Sequence, residues 1–190
     1  IYNLCEKYAF PLFTMPWKVH IYDITRNYYE RIFNDAKITD TITEAFIQLI
    51  HQKETSHALS VLKQNGFPTD KKYCLCCITF DPIRENIPSP LSEVKNYSIN
   101  FFWITFYQLT SRVFPNCHIC RTSEECLLIV PVTEISFTHL NNYFQTLLEQ
   151  LSEHLHTYRI HGGLGTIAHT VSELAKSYLH AKSALIMAKA

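Results

Sequence analysis

The sequence predicts a mixed α/β chain of the α+β kind, an antiparallel sheet carrying helices, and three observations predict it. Short apolar runs of strand length alternate with longer stretches whose apolar residues recur at helical spacing. Two of the runs, Cys117 to Arg121 and Cys126 to Val130, are separated only by Thr122 to Glu125, which is hairpin spacing. From Tyr73 onward the order reads strand, helix, strand, strand, helix, strand, helix. That is a split βαβ, ferredoxin-like pattern, with its helices expected on one face of the sheet.

Phe10 to Met15 reads as a buried strand closed by Pro16. Asp23 or Thr25 can cap a helix whose apolar stripe is Ile24, Tyr28, Tyr29, Ile32 and Phe33, and Asn34-Asp35 is expected to end it. Thr41-Ile42-Thr43-Glu44 is a capping box, in which hydroxyl and carboxylate satisfy two otherwise unpaired backbone donors. The stripe Ile42, Ala45, Phe46, Leu49 and Ile50 follows it. Gln52 to Ser56 is polar and interrupts the pattern, Leu59 and Leu62 resume it, and Asn65-Gly66 is a left-handed stop with Pro68 beyond.

Tyr73 to Phe80 is apolar almost without a break, as expected of a central strand covered on both faces. Pro82, Pro88 and Pro90 mark an irregular loop. Ile99, Phe102, Trp103, Phe106 and Val113 space out a helix of roughly four turns, ended by Pro115-Asn116. After the hairpin comes the clearest helical periodicity in the chain, Leu140, Tyr143, Phe144, Leu147, Leu148, Leu151 and Leu155. Tyr158 to His161 reads as a strand and Gly162-Gly163-Leu164-Gly165 as the turn that terminates it. A second capping box, Thr170 to Glu173, opens a last helix with the stripe Leu174, Tyr178, Ala181 and Leu185.

Composition narrows the function. Seventeen basic residues balance seventeen acidic ones, so no basic field attracts nucleic acid over distance. Hydrophobic residues make up 47% and charged residues 18%, enough to build a real core. No apolar run approaches the length of a membrane span, and no signal peptide opens the sequence. Seven cysteines, an odd number that includes the adjacent Cys76-Cys77, argue for reduced thiols in a cytoplasmic chain. Cys117 and Cys120 stand three apart on a strand and so face opposite sides; small buried thiols are expected, with no metal. Gly163-Leu164-Gly165-Thr166-Ile167-Ala168 matches a dinucleotide fingerprint after a strand, but the helix begins only near Val171, too late to meet a pyrophosphate.

Two resemblances add to this reading. Phe10-Pro11-Leu12-Phe13-Thr14-Met15-Pro16, followed by Asp23-Ile24-Thr25, resembles the end of the amino-terminal sensor domain of PucR-type bacterial transcriptional regulators. Ser172-Glu173-Leu174-Ala175-Lys176-Ser177-Tyr178, with Ala181, Ala184 and Leu185, resembles the ending of the degenerate GGDEF-like domain of PucR and CdaR-type regulators. The resemblance implies residues 1–35 as the end of a sensor domain, 36–72 as a helical connector and 73–190 as most of a GGDEF-like domain. A carboxyl-terminal helix-turn-helix that meets DNA is implied beyond them, and the chain reads as cut at both ends.

Laid on the hairpin, the nucleotide-cyclase motif puts Thr122 and Ser123 at its two glycines, with Glu124, Glu125 and Cys126 at its acid, acid and Phe positions; Asp81 falls near the strand-one metal aspartate. Active cyclases need the glycines for close approach of GTP and the acids for magnesium. Here both glycines are lost, so no catalytic residue, enzyme activity or cofactor is expected, and Glu124 and Glu125 read as solvated hairpin residues. Trp17, His20 and Asp23, in the loop after the amino-terminal strand, are the candidate effector-binding residues. Trp17 as a packing anchor and Asp23 as a helix cap is the competing reading.

The expected function is a ligand-sensing, dimerising regulatory fragment of a transcription factor tuned by metabolites in a catabolic pathway such as purine catabolism. It would have a small-molecule effector, a homodimeric partner and no membrane contact. Dimerisation is expected from Phe101, Phe102, Trp103, Phe106 and Tyr107, too many aromatics for one buried helix face. A nucleotide-binding domain with lost cyclase activity, or a pure interaction scaffold, are the alternatives.

Overall fold

The structure is a computed structural model that describes residues 2–8, 21–84, 89–91, 97–133 and 136–190. The chain divides into two compact units, Ile1–Asp40 and Thr41–Ala190. The first holds α1 (Tyr2–Lys7) and the beginning of α2 (Ile21–Ile50). Its exposed Arg26 and Glu30, one turn apart, form an ion pair at 3.3 Å. The expected strand at 10–15 lies outside the described residues.

α2 runs unbroken past Asn34-Asp35 and through the capping box at Thr41–Glu44, so neither the expected stop nor the expected new start is there. No glycine or proline stands between Ile21 and Ile50, and Asn or Asp in a helix costs under about 1 kcal/mol against alanine. A cap signal without a breaker does not interrupt a helix that packing sustains. The true end is a Schellman arrangement after Ile50. Gln52 takes the left-handed conformation (φ 55), its N–H reaches Leu49 O, and Lys53 N–H reaches Gln48 O. The expected end of α3 (Thr55–Gln64) is present: Gly66 (φ 73) donates to Lys63 O and Phe67 to Leu62 O.

Among the described residues the second unit carries one four-stranded antiparallel sheet in the order β2-β3-β1-β4. The strands are β1 (Lys72–Pro82), β2 (His118–Arg121), β3 (Cys126–Val132) and β4 (Tyr158–Ala168). The helices α4 (Tyr97–Val113), α5 (Phe137–His154) and α6 (Leu174–Lys189) complete the predicted order, with a short 3-10 turn at Val171–Glu173 before α6. No helix among the described residues is long and apolar enough to cross a membrane.

β1 is an inner strand, and Tyr73 to Phe80 are all buried. Alternation splits them between two cores. Cys74, Cys76, Ile78 and Phe80 pack with Phe102 and Phe106 of α4 and Phe144 and Leu147 of α5. Tyr73, Leu75 and Cys77 pack with Phe46 and Leu49 of α2, Leu62 of α3, and Leu174 and Ala181 of α6. Helices therefore cover both faces of the sheet rather than the one expected. The apolar run of β1 was the signal for this, because a strand facing water on one side would alternate.

Gly162, Gly163 and Gly165 lie inside β4, which runs on to Ala168, and not in a turn. A Cβ on Gly163 would sit 2.1 Å from Ala181 O, and one on Gly165 2.2 Å from Ser177 O. The glycines let the backbone of α6 lie directly on the strand. Beside them the β1–β4 register slips, so that Gly165 and Thr166 together oppose Leu75. Ser177 closes this bulge: its hydroxyl accepts from Leu75 N at 3.1 Å and donates to Thr166 O at 2.6 Å.

Candidate functional site

The β2–β3 hairpin is where the cyclase motif falls, and its polar side chains are committed to the fold. Thr122 closes the turn. Its hydroxyl donates to Glu125 O at 2.9 Å and accepts from the N–H groups of Glu124 (3.3 Å) and Glu125 (3.1 Å), while its own N–H donates to Glu125 O at 3.0 Å. A side chain performs here what a glycine backbone would otherwise permit. Ser123 and Glu124 are exposed.

Glu125 is not the solvated residue expected: only 4% of it is exposed. One carboxylate oxygen accepts from Tyr178 OH at 2.7 Å and the other from Lys182 Nζ at 2.8 Å. Tyr178 and Lys182 stand one turn apart on α6, so a single helix face presents both donors. Burial, and then the hydrogen bond to Glu125, push the Tyr178 phenol above its ordinary pKa. Burial alone would lower the Lys182 pKa; the bond to Glu125 and its charge outweigh this and leave it raised. The signal for these partners was present in the stripe of the last helix, because a tyrosine on a buried stripe needs an acceptor for its hydroxyl. A cavity of about 350 Å³ adjoins the hairpin, lined by Ile47, Ile50, His51, Glu124, Glu125 and Tyr178 among others.

Asp81 lies towards the same end of the sheet, but is held by a different lysine: Oδ2 is 3.0 Å from Lys189 Nζ and 3.9 Å from His161 Nε2. Tested as a magnesium site, this donor set does not fit. Glu125 and Asp81 each face an ammonium group, and no three His, Cys, Asp or Glu side chains converge among the described residues.

Of the candidate effector residues, Trp17 and His20 lie outside the described residues, as does the side chain of Asp23, whose backbone is in α2. The thiols divide as the alternation requires: Cys74, Cys76 and Cys126 face one core, Cys77 and Cys120 the other, and all are free and buried. Burial pushes the Cys120 thiol up to about 12 and that of Cys117 to about 11, so neither is a thiolate at neutral pH. Sequence reasoning passed over His118 on β2. Its Nε2 is hydrogen-bonded to Thr43 Oγ1 at 3.0 Å, its ring packs on Phe46, and burial lowers its pKa to about 4.

Of the five aromatics expected to form an exposed patch on α4, Phe102, Trp103 and Phe106 are core residues. Phe80 of β1 meets all three rings edge-on, and Trp103 Nε1 donates to Pro90 O at 3.1 Å. Phe101 and Tyr107 are exposed, joined by Ile104.

No curated protein and no solved structure matches the chain. A family model described as the GGDEF-like domain matches residues 51–187, a range that takes in α3, the whole sheet, the three motif carboxylates Asp81, Glu124 and Glu125, and the Ser177-Tyr178 pair. By that match, and with a split βαβ sheet whose hairpin stands where the cyclase motif would, the chain belongs to the GGDEF-like domain family.

Proposed function

We propose that this chain is a non-enzymatic regulatory module, the ligand-sensing and dimerising part of a PucR-type transcriptional regulator of a catabolic pathway. It acts in the cytoplasm, and a separate helix-turn-helix domain makes the DNA contacts. The observation that supports the reading is the fate of the cyclase positions. Thr122 closes the hairpin, and Glu125 is consumed by Tyr178 and Lys182. Groups that would hold a nucleotide and its metal instead close the hairpin and tie it to α6. The exposed Phe101, Ile104 and Tyr107 of α4 support a homodimer in place of the larger patch.

The test is calorimetric titration of the chain with GTP and magnesium, alongside an assay for cyclic dinucleotide. Neither magnesium-dependent binding nor turnover is expected; turnover would overturn the reading. A thermal-shift panel of purines, ureides and amino acids tests the sensing role, since a ligand that binds only the folded state raises the melting temperature. Light scattering that finds a monomer at high concentration removes the dimer. The cavity at the hairpin favours a second reading, a nucleotide-binding domain without turnover. Magnesium-dependent GTP binding with no product would select it.

A further inference from the structure

A second cavity, of about 470 Å³, opens on the other side of the second unit's sheet, where α4 ends, β3 ends and α5 begins. Its walls include Phe114, Val130 and Leu140, all buried side chains of the α4–α5 core. Arg112, Asn116 and Tyr143 also line it. Among the described residues none of these three side chains has a hydrogen-bond or ion-pair partner, and no acidic side chain lines the cavity. Its size falls in the range of small-molecule sites, and apolar walls with a few uncommitted polar groups are their ordinary composition.

We propose that this cavity binds a small carboxylic acid with an apolar or aromatic body. The body lies against Phe114, Val130 and Leu140, and the carboxylate meets the Arg112 guanidinium. The charge pattern selects the class. Arg112 sits in the last turn of α4, whose free carbonyls repel an anion and whose field the guanidinium offsets. Among the described residues the polar side chains at the cavity are Arg112, Asn116, Thr133 and Tyr143; each can donate to an oxygen anion, and the one charge among them is the Arg112 guanidinium. Asn116 is held there by its left-handed backbone (φ 65), which turns the chain from α4 into β2. A cationic ligand would face Arg112 with no acid to receive it. The site shares no lining residue with the cavity at the hairpin turn and is independent of the regulatory reading, because its test reads binding alone.

The test is heteronuclear NMR titration of the whole chain with phenylacetate and, separately, phenylacetamide, which has the same shape without the charge. Phenylacetate is expected to shift the amides of residues 112–116 and 130–133, and to bind about tenfold or more tightly than the amide. Arg112→Gln, at an exposed position, is expected to bring the acid down to the affinity of the amide, and Arg112→Lys to restore part of the difference. Tyr143→Phe, which removes only the hydroxyl, is expected to weaken the acid more than the amide. Equal affinity for acid and amide, shifts centred on the hairpin turn at residues 122–125 instead, or no binding of the acid up to millimolar concentration would each overturn the proposal.

Discussion

Gly163→Ala is the sharpest perturbation of this fold. Gly163 pairs with Cys77 across the β1–β4 ladder, and its α-carbon faces the backbone of α6. The added methyl would lie 2.1 Å from Ala181 O and 2.5 Å from Leu185 N, where a real Cβ essentially never comes closer than 3.0 Å. Both neighbours are main-chain atoms, so no rotamer change relieves the clash and α6 must rise by about 1 Å. A gap of that size forfeits a quarter to a half of the dispersion attraction across it, and α6 holds Leu174, Ala175, Ala181 and Leu185 against the sheet. Overpacking of this kind costs about 3 kcal/mol. Alanine returns about 0.4–1 kcal/mol by restricting the unfolded chain. The net loss of about 2–3 kcal/mol corresponds to a melting temperature about 5–10 °C lower. Gly66→Ala is the control: nothing stands within 4 Å of its Cβ, and only the left-handed φ of 73 is penalised, by about 1 kcal/mol. Urea unfolding of the two variants beside the wild type decides. If Gly163→Ala loses no more than Gly66→Ala, close backbone approach is not why the glycine is there. The Gly163-Leu164-Gly165 fingerprint would then need another explanation.

Ser177→Ala leaves Leu75 N–H and Thr166 O without their shared partner at the bulge; a loss of about 2–3 kcal/mol is expected, read as a lower urea midpoint at unchanged slope. Glu125→Leu strands the Lys182 ammonium, whose side chain is 33% exposed. The expected cost is about 1.5–3 kcal/mol, below that of breaking a fully buried pair, and a double-mutant cycle with Lys182→Met should show coupling; strict additivity would refute the pairing. His118 makes stability pH-dependent. Its folded value of about 4 lies below its ordinary 6.5, so the unfolded chain takes up the proton first as pH falls. Its contribution is complete above about pH 6.5 and is lost between there and pH 4, up to about 3 kcal/mol in all. The stability difference between wild type and His118→Gln should therefore shrink on going from pH 7 to pH 4.5; a constant difference would refute it.

Most of the fold was legible because two periodicities were unmixed. The unbroken apolar run of β1 and the seven-point stripe of α5 each admit one reading, and the four residues between β2 and β3 leave room for little but a hairpin. Legibility failed where a local signal had to be weighed against distant packing. Asn34-Asp35 and the Thr41–Glu44 box carry end and start preferences of about 1 kcal/mol. Such preferences yield when Ala45, Phe46 and Leu49 anchor the same helix to the sheet. The β4 glycines looked like a turn because glycine is usually read through its φ. Here it is required for what it lacks, a side chain between β4 and α6.

The same contrast separates the two candidate sites. The dinucleotide fingerprint, the Glu124-Glu125 pair and Cys117-His118-Ile119-Cys120 are contiguous in sequence, and each was visible at once. The structure spends them on packing: the glycines under α6, Glu125 on Tyr178 and Lys182, Cys120 in the core. The cavity beside Arg112 has no motif at all. It is assembled from residues 112–116, 130–133 and 140–143, brought together by the ends of two helices and a strand. A site made of three short, separated pieces leaves no spacing to recognise. What marks it is an arginine, an asparagine and a tyrosine without partners among the described residues, set around an apolar hollow, and partners are legible only once the chain is folded. In a domain whose inherited motif positions now serve the fold, uncommitted polar groups are a better guide to binding than the motif itself.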